Sequence, residues 1–196
     1  MNNPRTPSRM EKIRLVLERR QKDLTLILDN IHDPHNVSAI YRSCDAFGVP
    51  CVHLYYTGNS FPLLSAKSSA SARKWVESRR YADAGALLKD LRSGGMRVYA
   101  AVCTADSRPV HACDFTGPSA FILGNEHGGV AEELFSLADD AIHIPMYGMI
   151  QSFNVSVAAA LILYEASRQR AAAGLYDRPS CSGEELAALS ALWAQK

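Results

Sequence analysis

The sequence predicts an α/β protein in which a mostly parallel sheet is flanked by helices, with short additional helices at both ends. The first observation is that β-branched and aromatic segments alternate with segments whose apolar residues recur at helical spacing. The second is that residues 24–30 form a near-continuous apolar run, which is typical of a strand buried on both faces. Such strands, joined by helical crossovers, define the α/β class.

The first half of the chain begins with an amphipathic segment and then enters the sheet. Residues 8–20 place apolar positions among charges, and Ser8 is a suitable N-cap for a helix there. A later helical pattern ends at Gly48, which is a C-cap signal. The elements expected in this half are helix 8–20, strand 24–30, helix 37–47, strand 49–56, loop and helix 57–73, strand 75–81 and helix 82–95.

The second half repeats the alternation and ends in two helices. The elements expected here are strand 96–103, strand 119–125, helix 130–137, strand 141–146, helix 155–173, a linker at 174–183 and helix 184–193. The apolar run 155–164 suits a buried helix. The apolar face of the last helix must pack either against this chain or against a partner.

Length and charge predict one domain with terminal additions. The 196 residues, 47% hydrophobic and 21% charged, are typical of a globular chain. We expect a basic N-terminal helical arm at 1–22, the main domain at 23–173 and a C-terminal linker and helix at 174–196. The arm holds seven cations and two anions although the net charge is only +1. It is therefore either a contact for a polyanion or a solvated helix.

Several classes of protein and site are excluded. No apolar run approaches the roughly 20 residues of a membrane span, and charges fill the N-terminal segment where a signal peptide needs apolar residues. We therefore expect a cytoplasmic protein with no membrane partner. The five cysteines are widely spaced and odd in number, which disfavours disulfides and zinc. His32 and His35 bracket Asp33, but no further ligand is near in sequence, so no metal is predicted.

Three polar loops follow predicted strands, at the edge where open α/β sheets bind ligands. They span residues 30–36, 124–129 and 145–154. Neither a P-loop nor a GxGxxG pattern occurs in them, so a phosphate or dinucleotide site is disfavoured. Their residues also have structural interpretations, which remain open. Asn36, Ser152 and Asn154 could be only helix caps, and residues 124–129 could be only a turn before a helix.

Two residues in or near these loops favour a functional interpretation. Arg42 lies on a helix with apolar neighbours, where a charge is costly unless it is paired or faces a cleft. Gly124 directly follows an apolar strand, where it permits a close approach or a positive φ.

In their order and spacing, the three loops resemble the signature motifs of the SPOUT methyltransferases. The segments are NIHDPHNVSAIYRSCDAFG, FILGNEHGGV and IHIPMYGMIQSFNVSVAAALILYEASRQR. The resemblance covers residues 22–175 and is strongest to the TrmH branch, the tRNA (guanosine-2′-O) methyltransferases. It implies an α/β core whose C-terminal part forms a trefoil knot, which is a rare exception to unknotted chains.

The resemblance also implies a cofactor, an acceptor and a set of site residues. The cofactor is S-adenosylmethionine, and the acceptor is an RNA ribose 2′-hydroxyl. The expected cofactor residues are Ala101, Gly124, Ile144, Met146 and Phe153, of which Phe153 replaces the usual Leu. The expected catalytic residues are Arg42, Asn36, Glu126, Ser152 and Asn154. A guanidinium stays charged in proteins, so we expect Arg42 to hold the target phosphate and orient the 2′-oxygen rather than act as a base.

With a basic helix before the motifs and a further helix after them, the chain looks most like the members of this family that methylate the guanosine at position 18 in the tRNA D-loop. Members of this family act as homodimers, and the helix at 155–173 suits such an interface. The expected RNA-binding residues are Arg9, Arg14, Arg19, Arg20, His35 and Arg168. Two alternatives remain open: 2′-O-methylation of another tRNA position or of rRNA, and a non-catalytic RNA-binding homologue. No DNA partner is expected.

Overall fold

A computed structural model describes residues 6–58, 61–62 and 72–196. The strands are β1 (Leu24–Asp29), β2 (Cys51–Tyr55), β3 (Glu77–Tyr81), β4 (Arg97–Ala101), β5 (Arg108–Pro109), β6 (Ser119–Leu123) and β7 (Asp140–His143). The helices are α1 (Pro7–Glu18), α2 (Pro34–Ala46), α3 (Ala72–Trp75), α4 (Ala84–Ser93), α5 (Glu132–Phe135), α6 (Val155–Ala172) and α7 (Gly183–Trp193). A short 3-10 helix spans Val110–Ala112.

The seven strands form one parallel sheet in the order β3-β2-β1-β6-β4-β7-β5. Every residue of β1 and β6 is buried, because these strands lie inside the sheet and helices cover both faces. One face packs against α2 and α6, and the other packs against α4 and α5. The predicted α/β class is therefore confirmed. The carboxyl ends of β1, β6 and β7 precede the three polar loops.

The terminal helices pack against each other. Ile13 and Leu17 of α1 form a small core with Trp193 of α7, and Trp75 of α3 packs on it. The last helix thus packs within this chain. A capping box starts it, because the Ser182 side chain accepts from the Glu185 N–H and the Glu185 carboxylate accepts from the Ser182 N–H.

Three local predictions were wrong, and one strand was missed. The N-cap of α1 is Thr6 rather than Ser8, because Pro7 occupies the first helical turn, where its missing N–H costs nothing. Trp75 belongs to α3 instead of the following strand. The strand predicted to reach residue 146 ends at His143. Strand β5 was not predicted, because a two-residue edge strand that contains proline has no alternation to read.

Other findings concern the predicted loop, the cysteines and the membrane. Most of the segment 57–73 lies outside the described residues, apart from 57–58, 61–62 and the start of α3. All five cysteines are free thiols. Among the described helices, none is long and apolar enough to cross a membrane.

Candidate active site

The first motif loop begins at the end of β1 and ends in the first turn of α2. Asn30 adopts a positive φ of 48°, which Asn tolerates better than most residues. The side chain of Asp33 caps α2 by accepting from the His35 N–H at 2.8 Å. Asn36 is therefore not the N-cap, and its side chain is available for other contacts.

The side chains of Asn36, Glu126 and Asn154 join the three motif loops. Asn36 Nδ2 donates to Glu126 Oε1, and Asn154 Nδ2 donates to Asn36 Oδ1 at 3.0 Å. The other end of the Asn154 amide caps α6, because Oδ1 accepts from the Ser156 N–H at 2.9 Å. Asn154 is thus both a cap and a site residue. We call these three side chains the amide cluster.

The second motif loop folds back over Gly124. A Cβ on Gly124 would lie 2.0 Å from the carbonyl carbon of Gly129, so any residue with a side chain would clash with the backbone there. The backbones of Asn125 and Gly129 exchange two hydrogen bonds of 3.0 and 3.1 Å, and Asn125 Oδ1 accepts from the Gly128 N–H at 2.7 Å. The close approach that Gly124 permits is therefore one by the chain's own backbone, and the loop presents Glu126 to Asn36.

Asp29, the last residue of β1, connects the first motif loop to the segment that follows the second. It is fully buried, and its Oδ2 accepts from the Ala131 N–H at 2.6 Å. Burial raises the pKa of Asp29, although the hydrogen bonds from Ala131 and Asn30 act in the opposite direction. Next to it, burial also raises the pKa of Tyr55, whose hydroxyl donates to Glu133. Both contacts hold the segment after Gly124 against the sheet.

A cavity of about 130 Å³ lies between the end of β4 and the third motif loop. Four of the five predicted cofactor residues line it, and Gly124 does not. Those four are Ala101, Ile144, Met146 and Phe153. The cavity is smaller than the roughly 300–1,000 Å³ of typical ligand pockets and is open to solvent, so a molecule the size of S-adenosylmethionine would extend beyond it.

The wall formed by the third loop is suited to such a ligand. From Pro145 to Phe153, no backbone amide or carbonyl is hydrogen-bonded to another backbone group of the described chain. These main-chain donors and acceptors are free to contact the polar edge of an adenine, while Ile144, Met146 and Phe153 offer apolar contact. The residues present therefore fit the cofactor that the resemblance implies.

Arg42 is exposed, and its side chain makes no hydrogen bond or ion pair with any residue the structure describes. It is not among the residues lining the 130 Å³ cavity, and neither are Asn36 and Glu126. Ser152 lines that cavity and is exposed. Ser152 and Phe153 thus line the cavity directly before Asn154 of the amide cluster in the sequence, whereas Arg42 is not part of the lining.

His143 is a cavity residue that sequence reasoning missed. It lines the cavity, and its Nδ1 lies 2.9 Å from Ser107 Oγ. The Ser107 hydroxyl is also 2.7 Å from the Thr104 carbonyl, and it can donate to only one of these two acceptors. The strand pattern around His143 gave no sign of this role, since Ser107 lies on a loop that was not assigned to any element.

The predicted RNA-binding residues separate into three groups. Arg9, Arg19 and His35 are exposed. Arg14 bonds Glu11 and Glu18, and Arg168 bonds Glu165, so both are exposed but already paired. Arg20 contradicts the prediction, because only 2% of it is exposed. Its guanidinium contacts Asp45 at 2.5 Å and the Val49 carbonyl at 2.9 Å.

A further buried arginine was not singled out by the sequence. Arg170 of α6 has no exposed surface and bonds Asp23 at 2.6 Å, the Gly117 carbonyl at 2.6 Å and the Phe115 carbonyl at 3.0 Å. It fixes the end of α6 to the start of β1 and to the loop before β6.

Within the described residues, no three His, Cys, Asp or Glu side chains gather as a metal site.

Comparisons with known proteins agree with the resemblance to RNA methyltransferases. The model of the SpoU rRNA Methylase family matches residues 23–164. A tRNA (guanosine(18)-2′-O)-methyltransferase of Thermus thermophilus is 46% identical over 192 residues, covering 98% of both chains. The crystal structure of the A. aeolicus TrmH/SpoU tRNA modifying enzyme has a TM-score of 0.89 and 39% identity, covering 96% of this chain and 95% of that one. The SpoU methyltransferase AviRb from Streptomyces viridochromogenes, in complex with AdoMet, has a TM-score of 0.68 and 28% identity, covering 79% of this chain and 62% of that one.

Proposed function

The chain belongs to the SpoU methylase family, and on that premise we propose that it methylates the guanosine at position 18 in the D-loop of tRNA. The methyl group moves from S-adenosylmethionine to the ribose 2′-hydroxyl. The observation that carries this proposal is the 46% identity to a tRNA (guanosine(18)-2′-O)-methyltransferase over 98% of both chains. An alignment of that extent includes the terminal helices as well as the three motifs.

The cavity at the end of β4 is the proposed cofactor site. The bound sulfonium supplies an activated methyl group. Ile144, Met146 and Phe153 enclose the apolar parts of the cofactor, and the unbonded backbone of residues 145–153 contacts its polar edges. The related AviRb structure holds AdoMet, which supports this cofactor.

The amide cluster is proposed to position the loops around that site rather than to exchange protons. Asn36, Glu126 and Asn154 satisfy one another, so a change in any one of them alters the relation of the other two loops. Arg42 is proposed to hold the target phosphate and to stabilise charge developing on the 2′-oxygen. Proximity of the two bound substrates supplies much of the remaining rate acceleration.

A homodimer is proposed because one chain leaves both Arg42 and an apolar face unused. Val157, Leu161 and Tyr164 are 44%, 37% and 58% exposed and share one face of α6. Tyr147 and Met149, in the third motif loop, are almost fully exposed. Contiguous apolar surface of this kind marks protein contacts. Because Arg42 does not line the cavity of its own chain, the proposed homodimer completes each site with the partner's Arg42.

A trefoil knot and a cytoplasmic location complete the proposal. The order of the strands puts β7 between β4 and β5, so the chain that leaves β7 starts beside the loop joining β4 to β6. Gln169 and Arg170 of α6 bond the backbone of residues 113–117 in that loop. The bonds of Gln169 and Arg170 to this loop support a knot in which α6 passes through the loop that joins β4 to β6. The cytoplasmic location follows from the proposed substrate.

Nucleotide mapping tests the proposed function directly. The protein is incubated with unmodified tRNA and with rRNA fragments in the presence of labelled S-adenosylmethionine, and the labelled nucleotide is identified by digestion and mass spectrometry. We expect a single 2′-O-methylated guanosine at position 18 of tRNA. Label at another tRNA position or in rRNA would overturn the choice of substrate, and absence of label in every RNA would overturn the enzymatic assignment.

A further inference from the structure

A cavity of about 510 Å³ lies between the terminal helices and α3, away from the motif loops. It is lined by Lys12 and Ile13 of α1, Lys74 and Trp75 of α3, and Trp193 of α7. Its volume lies within the range of sites that enclose a small ligand. We call it the tryptophan cleft, because both tryptophans of the chain line it.

Aromatic rings form one side of the tryptophan cleft. The ring centres of Trp75 and Trp193 are 4.7 Å apart with an angle of 46° between their planes. Trp193 is only 6% exposed, and the Arg20 guanidinium lies 5.2 Å from its ring, whereas Trp75 is half-buried. The Lys196 ammonium lies 5.8 Å from the Trp75 ring. A planar ligand can therefore contact Trp75 once the Lys196 side chain, whose ammonium also donates to the Lys74 carbonyl, moves aside.

Unpaired cations surround the rings. Arg9, Lys12 and Lys74 line the cleft, and none of their side chains has a hydrogen bond or ion pair with a described residue. The carboxylate that lines it, Asp45, is already bonded to the buried Arg20 at 2.5 Å. The cleft therefore presents uncompensated positive charge beside a partly exposed aromatic ring.

We propose that the tryptophan cleft binds one unstacked nucleotide of the RNA substrate, with its base against Trp75 and its phosphates on Arg9, Lys12 and Lys74. This inference rests on the proposed function, because it assumes an RNA substrate. Proteins recognise unpaired RNA bases by stacking them on aromatic rings, and they hold the adjoining phosphates with lysine and arginine. The combination of ring and cations distinguishes this cleft from a surface that binds phosphates alone.

The bound nucleotide is not the one that is methylated. Asp45 follows Asn36 by nine residues on α2, which corresponds to about 14 Å along the helix axis at 1.5 Å per residue. The tryptophan cleft therefore lies towards the opposite end of α2 from the amide cluster. Contacts made there are equal in the ground state and the transition state, so their loss raises KM for RNA and leaves kcat unchanged.

Tryptophan fluorescence of the whole protein reports on this cleft alone, because the chain has no other tryptophan. The protein is titrated with unmodified tRNA, with a single-stranded pentaribonucleotide, and with a pentamer of abasic riboses that has the same phosphates. We expect saturable quenching by the first two ligands and none by the abasic pentamer. Equal quenching by all three ligands would show that the cleft contacts phosphates without stacking a base. No change in fluorescence at saturating tRNA would show that the cleft does not bind RNA. Either result overturns the inference.

Substitutions separate the cleft from general electrostatics. Lys74→Glu is expected to raise KM for tRNA at least tenfold, with kcat and KM for S-adenosylmethionine within twofold of wild type. Arg73→Glu is the matched control, since Arg73 is an exposed cation on the same helix but outside the cleft lining, and we expect less than a threefold change in KM. Equal effects of the two variants would contradict the inference.

Trp75 itself provides the second pair of variants. Trp75→Leu is expected to raise KM for tRNA about tenfold, and Trp75→Phe, which keeps a ring for stacking, is expected to restore most of the affinity. If neither Trp75 variant folds, the comparison of Lys74→Glu with Arg73→Glu still tests whether the cleft binds RNA. If wild type methylates no RNA, the proposed function fails, while the fluorescence titration still shows whether the cleft takes a nucleotide.

Discussion

At the scale of single residues, Asn154 uses both ends of one side-chain amide. Its oxygen caps α6 and its nitrogen bonds Asn36, so the structural and functional interpretations of this residue are both correct. Asn36, in contrast, is released for the site because Asp33 takes the cap of α2. The chemistry of the site thus depends on which of several suitable residues performs each capping task.

Arg42→Ala tests the role of the exposed guanidinium. We expect kcat to fall about 10²- to 10³-fold, as when a group that stabilises transition-state charge is removed. Binding of S-adenosylmethionine and the free energy of unfolding should stay close to wild type, because Arg42 has no partner among the described residues. Single-turnover methylation, calorimetric binding and thermal unfolding measure the three quantities. Wild-type turnover would contradict the assignment.

Gly124→Ala tests the folded-back second loop. The new Cβ would lie about 2.0 Å from the Gly129 backbone, so the loop must shift and carry Glu126 away from Asn36. We expect a loss of about 1–3 kcal/mol in the free energy of unfolding, the usual cost of overpacking, together with a large loss of activity. Gly128→Ala is the control, because its Cβ would be 3.6 Å from its nearest neighbour. Equal behaviour of the two variants in denaturant unfolding would refute this reading.

At the scale of elements, α6 has three functions on different faces. Ala159, Ile162 and Leu163 are buried in the core, Val157 and Leu161 are exposed, and the C-terminal end is fixed by Arg170. Residues 155–164 of this helix are almost uniformly apolar and so show no single apolar face, and the sequence could not show which of them face solvent. The structure identifies the exposed residues, because the sheet and α2 bury the other apolar residues of the helix.

Arg170→Met tests how the end of α6 is held. Removing the guanidinium leaves the Gly117 and Phe115 carbonyls without this partner and the Asp23 carboxylate without its counter-ion. We expect a loss of about 1–3 kcal/mol in the free energy of unfolding, mainly from the buried carbonyls left without a donor, because the Asp23 side chain is 38% exposed and water can solvate its charge. Arg168→Met, on the exposed side of the same helix, should change stability by no more than about 0.5 kcal/mol. A similarly small loss for Arg170→Met, measured in urea, would show that the network contributes little.

At the scale of the whole molecule, the order of the strands brings the motif loops together. The loops after β1 and β6 are adjacent because these strands pair in parallel, with Leu28 opposite Leu123. The third loop follows β7, on the far side of β4. The same arrangement leaves the terminal helices beside α3, where they form the tryptophan cleft.

Leu161→Glu tests the proposed homodimer. A carboxylate on the exposed apolar face of α6 would be buried without a partner if that face forms the interface. We expect monomers in analytical ultracentrifugation and a loss of methyl transfer of at least 100-fold. Ala187→Glu adds the same charge on the exposed side of α7 and should remain dimeric. A monomeric Leu161 variant with normal turnover would show that each chain is complete by itself.

Much of the fold could be predicted because its signals are local. The apolar run of β1, the Gly48 stop and the helical period of α4 each depend on neighbours in sequence. Arg20 and Arg170 could not be assigned in this way, since both are buried by segments far away in the chain. A count of charges treats every arginine as exposed, and it therefore placed Arg20 among the RNA contacts.

The sequence by itself determined the α/β class, the three motif loops and the family, because motif residues are fixed by local backbone needs and by the chemistry they must present. The tertiary structure decided which of those residues meet. Asn36 bonds partners 90 and 118 residues away, and Arg42 is not among the residues that line the cavity. Contacts over such separations depend on strand order and helix packing, which no local pattern encodes.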